Sequence, residues 1–588
     1  MKNFILKLIV VIAFLAVAYN VCKYAPYYVE KVHYDKNEIR FVIDDEEKTK
    51  SLPDPIEICN DKVMLSVNTI KKFFDKYAYY NEEYNMVMVA YGLDIVKMPL
   101  DSKTITVNNV EKHIEIPVKA YYSTIRNSLK NIKMYKKVPI VHKPTIYVPI
   151  DELESVYDIE VVYNNKVIIT TPEAEYYKVV AKNKLNIKSY KMEKCRSMGV
   201  SNAGEKIYIF DDFESKSDKD YVWVRSEKGI LGYVKKSKIT VKEVLDKVAK
   251  NDESSSGERK RISLAWEYAA NYTPDRSSES KKSGLDILSP TWFYVKNTEG
   301  DILDLADTSY ISWAKKVNYK VWPTIKNDNL SISETSALVT NVYKRKAFID
   351  NILILCKKYN LEGINLDFEN MYEKDKNEFS AFVRELSITM RQNDIITSVD
   401  VNVPDGSPTW SLCYDSKAIS DAVDYIIVMA YDQYGRSSKK AGPVASLSWV
   451  EGNIIKMTKR DGIDNSKLVL GIPFYSRSWN TDSNGVVTST TAIYMSKAKE
   501  QMVKNPNNIT WSEVDGQNII SYSTKTGNTI VYIEDANSIA KKLELIDKYD
   551  LAGSAAWRLG FESEDVWNVF RRWFLCSMHL LTILIKKV

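Results

Sequence analysis

From about residue 261 to residue 570 the chain alternates between two hydrophobic periods. Short runs of apolar residues, too short and too rich in β-branched and aromatic side chains for helices, fall at Ile262–Trp266, Ile287–Phe293, Lys320–Pro323, Gly363–Glu369, Thr397–Val403, Tyr425–Asp432, Leu468–Tyr475 and Gly553–Leu559. Between them, apolar residues recur every three or four positions, as in Phe348, Ile352, Leu355 and Tyr359, and again in Phe379, Phe382, Val383, Leu386 and Met390. That spacing predicts amphipathic helices. Strand and helix in regular alternation predict a parallel α/β architecture, and eight such strands predict a (β/α)8 (TIM) barrel whose chemistry sits at the C-terminal strand ends. The last interval, Arg477–Asp550, is too long for one helix and contains strand-like runs such as Thr529–Ile533. It reads as a β-rich insertion at about 480–550.

The first 260 residues follow other patterns. Met64–Val67 with Ile70, Phe73 and Phe74, closing in Asn85–Val89, reads as strand, short helix, strand. Ile146–Ile150 with Leu153, Val156 and Tyr157, closing in Asn165–Ile169, repeats it. This pairing over 50–172 resembles the N-terminal α+β domain of copper amine oxidases; the catalytic part of those oxidases is absent, so no copper is implied, and the segment is read as a wall- or partner-binding module or a spacer. Over 175–242, short alternating runs around turns, such as Tyr221–Arg225 and Gly229–Val234, predict a small β-barrel. It resembles the bacterial Src-homology-3-like domain, which implies attachment to the cell wall. Trp223 and Tyr233 are candidates for its groove, with Trp223 read as core. Residues 246–260 are polar and Gly/Ser-rich, a linker. At the start, Lys2 and Lys7 precede the apolar run Leu8–Ala18, and Ala16–Ala18 resembles a signal-peptidase site. Residues 1–22 thus read as a signal peptide or, with 4–21 spanning, a membrane anchor, placing the rest at the cell surface or outside the cell. The tail 571–588 is apolar but short for a span.

Composition narrows the chemistry. The 82 basic and 77 acidic residues leave a net charge of only +5, which argues against a nucleic-acid partner. The four histidines are His33, His113, His142 and His579, so the predicted barrel holds none. A histidine-based triad or zinc site is therefore excluded there. The six cysteines show no CxxC spacing, so neither a metal site nor a disulfide framework is read; no cofactor is expected.

Acid–base work in the barrel then falls on carboxylates and tyrosines, and the run Gly363–Glu369 concentrates them. Side chains alternate faces along a strand, so Asn365, Asp367 and Glu369 share one face while Ile364, Leu366 and Phe368 pack on the other. Packing gives no reason to crowd two acids, because desolvated like charges raise each other's pKa at a cost in stability. A carboxyl kept protonated beside an ionised neighbour is what general acid catalysis requires.

Residues 261–570 resemble glycoside hydrolase family 18, the chitinase-like barrels, and within it the branch of spore-cortex and cell-wall lysins. The resemblance rests on Glu362–Glu369 on the fourth strand, Ser289–Phe293 on the second, Met429–Asp432 on the sixth, Pro473–Trp479 on and after the seventh, and Trp557 on the eighth. It implies a retaining hydrolysis in which the substrate's own 2-acetamido group is the nucleophile. Glu369 would be the acid and then the base, Asp367 would orient the acetamide, and Tyr431 would hydrogen-bond its carbonyl. Trp557 would floor the sugar, with Met429, Asp432, Tyr475 and Arg477 as further binding candidates. Where the family has Asp, this chain has Asn365, which the resemblance leaves as a partner for Asp367 that carries no charge. The implied substrate is an N-acetylglucosamine-containing polysaccharide of wall or spore cortex; chitin, or binding without cleavage, are the alternatives.

Overall fold

The computed structural model describes residues 11–19, 39–121, 143–211, 220–248 and 261–573. The linker core 249–260, residues 1–10 and 20–38 and the tail beyond Trp573 lie outside these residues. Of the N-terminal run, 11–19 is helical. Among the described residues no helix is long and apolar enough to cross a membrane.

The chain divides into two compact units, 1–256 and 257–588. In the first, the opening strands of the two repeat halves, Lys62–Ser66 and Thr145–Pro149, pair antiparallel, with Leu65 opposite Val148. Ser66 caps the helix Val67–Phe73 by accepting from the Thr69 amide at 3.0 Å, the role a short hydroxyl side chain fills at a helix start. Residues 176–248 form a seven-stranded antiparallel sheet with a core of its own, built on Val179, Ile187, Ile207 and Val224. Trp223 is not core here: it is half-buried, lies edge-on to Tyr233, and donates through Nε1 to the Asp45 carbonyl at 3.0 Å.

The second unit is a closed barrel. Its parallel strands are β1 (Ile262–Glu267), β2 (Ile287–Val295), β3 (Thr324–Lys326), β4 (Gly363–Asp367), β5 (Ile396–Asn402), β6 (Tyr425–Met429), β7 (Leu468–Pro473) and β8 (Gly553–Trp557). Each pairs with the next, and β8 closes onto β1. Several strands are shorter than their apolar runs predict. β4 stops at Asp367 and β6 at Met429, so Glu369, Tyr431 and Asp432 stand on the chain just beyond the strand ends. The third element is displaced: Lys320–Val321 pairs only with β2, and the strand that reaches β4 begins at Thr324.

Two apolar layers hold the barrel. Outside, Ile364 and Leu366 of β4 and Phe368 just past it pack against α1 (Val342–Tyr359) and α2 (Lys376–Arg391), with the Phe368 ring 5.8–6.1 Å from those of Phe348, Phe379 and Phe382. Inside, Leu264, Trp266, Trp322, Ile427, Val469 and Ala555 fill the lumen. The barrel is thus plugged below, and polar side chains collect above the plug. After β7 the chain enters a five-stranded antiparallel sheet, begun by Tyr475–Thr481 and completed by 487–533, before α3 (Ala536–Lys548) returns it to β8.

Candidate active site

On β4 the alternation puts Asn365 and Asp367 inside the barrel, where Asn365 is wholly buried and Asp367 is 5 % exposed. Glu369, two residues past the strand, would be free to wander were its backbone not gripped. Asn327 does this from the end of β3, donating through Nδ2 to the Glu369 carbonyl at 2.9 Å and accepting the Glu369 amide at 3.0 Å. The Tyr414 hydroxyl adds a 2.6 Å bond to the Phe368 carbonyl. Side-chain groups thus replace the ladder bonds that the chain loses at the strand end.

Glu369 hydrogen-bonds to Asp367, and its carboxyl is held well above the ordinary carboxylate range. Burial is the main cause, the neighbouring Asp367 adds to it, and the Lys326 ammonium opposes it. Lys326 is the last residue of β3 and lies directly across from Asp367 in the β3–β4 register. Its Nζ is 2.9 Å from Asp367 Oδ2 and 3.3 Å from Asp328.

Asn365 does not pair with Asp367, the partner that the family resemblance leaves for it. Its Nδ2 donates to Asp400 Oδ1 at 2.8 Å and to Ser398 Oγ at 3.1 Å, and its Oδ1 accepts from Trp266 Nε1 at 2.9 Å. The reason is register: Ser398 of β5 lies beside Asn365, and Asp400 projects inward one step higher on the same face. Asp400 is 1 % exposed, and burial, reinforced by Asp367, pushes its carboxyl well above the ordinary range despite the Asn365 hydrogen bond.

The remaining candidates form two groups. Tyr431 is half-buried with its ring edge-on to Trp266 at 6.4 Å, and Trp557 tilts against the same indole at 6.0 Å, so Trp266 seats both from below. Burial raises the Tyr431 hydroxyl well above its ordinary pKa, with Asp400, Tyr475, Asp367 and Glu369 contributing. The second group lies alongside. The Tyr475 hydroxyl donates to Asp432 Oδ1 at 2.7 Å, and Arg477 approaches the same oxygen at 3.4 Å while its buried Nε meets no acceptor among the described residues. Met429 is buried at the end of β6.

Lys326, Asn327, Asp400 and Tyr414 were not among the residues expected from sequence. Asp400 did leave a signal, being an acid inside an otherwise apolar strand run. Lys326 left none, because the third apolar run ends before it.

Residues 289–562 match the model of Glycosyl hydrolases family 18. The chain is similar to the uncharacterized glycosylase YvbX of Bacillus subtilis, 29 % identical over 54 % of this chain and 93 % of that protein. It is also similar to YdhD of the same organism, provisionally named a sporulation-specific glycosylase, at 27 % identity over 44 % of this chain and 62 % of YdhD. Among solved structures, the spore cortex-lytic enzyme SleL of Bacillus megaterium aligns with a TM-score of 0.47 and 20 % identity, over 56 % of this chain and 78 % of that one.

Proposed function

The barrel being a glycoside hydrolase domain of family 18, we propose that the chain cleaves β-1,4 bonds next to N-acetylglucosamine in cell-wall or spore-cortex peptidoglycan, with retention and with the substrate's acetamide as nucleophile. One observation carries this: just past the C-terminal end of β4, Glu369 is gripped by Asn327 beside the buried Asp367, and burial with that neighbouring acid raises its carboxyl well above the ordinary range. The Glu369 proton passes to the bridging oxygen as the C1–O bond breaks, and the acetamide oxygen closes on C1 to give an oxazolinium ion. Asp367 orients the acetamide N–H and balances the positive charge. The Tyr431 hydroxyl supports the carbonyl, and Trp557 provides the apolar floor. Glu369, now a carboxylate, takes a proton from water, whose oxygen attacks C1 and reopens the ring. Each proton-transfer role is worth about 10²–10⁴ in rate.

The choice of wall glycan over chitin draws on the sporulation-linked name of YdhD and on the two preceding modules, which we assign to wall attachment. Export through residues 1–22, as a signal peptide or an anchor through residues 4–21, belongs to the same reading. The test compares wild type with Glu369→Gln on cortex peptidoglycan, vegetative peptidoglycan and chitooligosaccharides, following new reducing ends. Release from peptidoglycan by wild type alone is expected. Cleavage restricted to chitin oligomers would overturn the substrate, and a fully active Glu369→Gln would overturn the mechanism.

A further inference from the structure

The hydrogen-bond donors of Asn365 are used up. Both amide hydrogens go to β5, to Asp400 and Ser398, and the carbonyl oxygen takes Trp266 Nε1. Nothing remains for Asp367, two residues further along. Asp367 Oδ1 accepts no N–H or hydroxyl among the described residues, and Oδ2 has the Lys326 ammonium at 2.9 Å. A carboxylate this deeply buried needs donors or a cation; beside the hydrogen bond from Glu369, the cation at Asp367 among the described residues is Lys326.

We infer that Lys326 is a positioning residue of the catalytic pair: from the neighbouring strand its ammonium pins one oxygen of Asp367, turning the other toward Glu369 and the incoming acetamide N–H. The inference rests on the roles given above to Glu369 and Asp367. Lys326 suits the task because its side chain is only 14 % exposed and is held from two sides, by Asp367 and Asp328. Burial lowers the proton affinity of the ammonium, and Asp367, Asp328 and Glu369 together outweigh it and raise it above the ordinary lysine range. The groups that face it are Asp328 beyond β3, Tyr294 on β2, Asp367 and Glu369 from β4, and Asp400 on β5. Among these four carboxyls the ammonium lies nearest Asp367, at 2.9 Å, and next nearest Asp328, at 3.3 Å.

The test measures kcat and KM against pH for the full chain, as wild type, Lys326→Met, Lys326→Arg and Glu369→Gln. Lys326→Met is expected to lower kcat about tenfold or more. It should also move the alkaline limb upward by about one pH unit, because the cation that opposes protonation of Glu369 is gone. Lys326→Arg, which keeps the charge, should leave that limb in place even if kcat falls. Thermal unfolding of each variant separates this from collapse; should Lys326→Met fail to fold, an alkaline limb that shifts in Lys326→Arg as well overturns the proposal. An active wild type and inactive Glu369→Gln, with Lys326→Met unchanged in kcat and limb, also overturns it while leaving the site assignment intact. An inactive wild type strikes the assignment instead.

Discussion

Asn365 and Asp400 are joined across neighbouring strands by a 2.8 Å hydrogen bond from amide to carboxyl, both side chains being buried inside the barrel. The second acid near Asp367 therefore sits on β5, and the amide on β4 keeps it neutral company. Asn365→Asp would put two carboxyls at this distance, where both cannot ionise. It also removes the donor to Ser398. The variant should melt at lower temperature, by the equivalent of about 1–3 kcal/mol. Its added negative charge should raise the pH at which Glu369 loses its proton, so the optimum should lie above that of wild type. A pH–rate profile and a melting curve measure both; an unchanged or lowered optimum sinks the argument.

Asn327 holds Glu369 by both of its backbone polar groups, a grip that no strand provides at that point. Asn327→Ala leaves these groups without a protein partner and lets the acid shift. Because a displacement of about 1 Å can cost about a hundredfold, kcat should fall by one to two orders of magnitude. KM should change far less. A variant with wild-type kcat would show that Glu369 is positioned by other means.

Asp400 makes stability depend on pH with a definite sign. Its folded-state pKa is raised, so between the unfolded value, about 3.9, and the folded one the native chain holds a proton that the unfolded chain has released. That contribution is complete below the unfolded value and is lost as pH rises through the folded one. Asp400→Asn retains an acceptor for Asn365 and does not titrate. Its melting temperature should decline less than that of wild type as pH is raised from about 4 to 8. Parallel declines in the two proteins would remove Asp400 from the account.

Lys542 on α3 and Glu534 before it form an ion pair with neither side chain exposed, 3.0 Å apart, and Ser538 and Gln517 also bond the carboxylate. Removing one member of such a pair strands the other charge. Lys542→Met should cost about 3–5 kcal/mol in denaturant unfolding, and adding Glu534→Gln should recover part of it. Equal losses in the single and double variants would mean that the cost is one of packing.

How much of this was legible in the chain follows from the range of the forces. Alternation along a strand is local, so the shared face of Asn365 and Asp367, with Ile364, Leu366 and Phe368 turned to the helices, could be read from 363–369 alone. The same holds for the eight strand–helix units, because each must bury one apolar face, and parallel strands with helical returns close into few architectures. Strand lengths were less legible, since an apolar run continues past the last ladder bond, as Phe368 does beyond Asp367. What tertiary structure alone decided is who stands beside whom. Register between strands separated by dozens of residues puts Lys326 opposite Asp367 and Ser398 opposite Asn365. No local period records that alignment, because it is set by the shear of the closed barrel and the packing of its helices. Composition and spacing thus determined which groups are available for acid–base chemistry, and the lateral register determined which of them stands against the Lys326 ammonium.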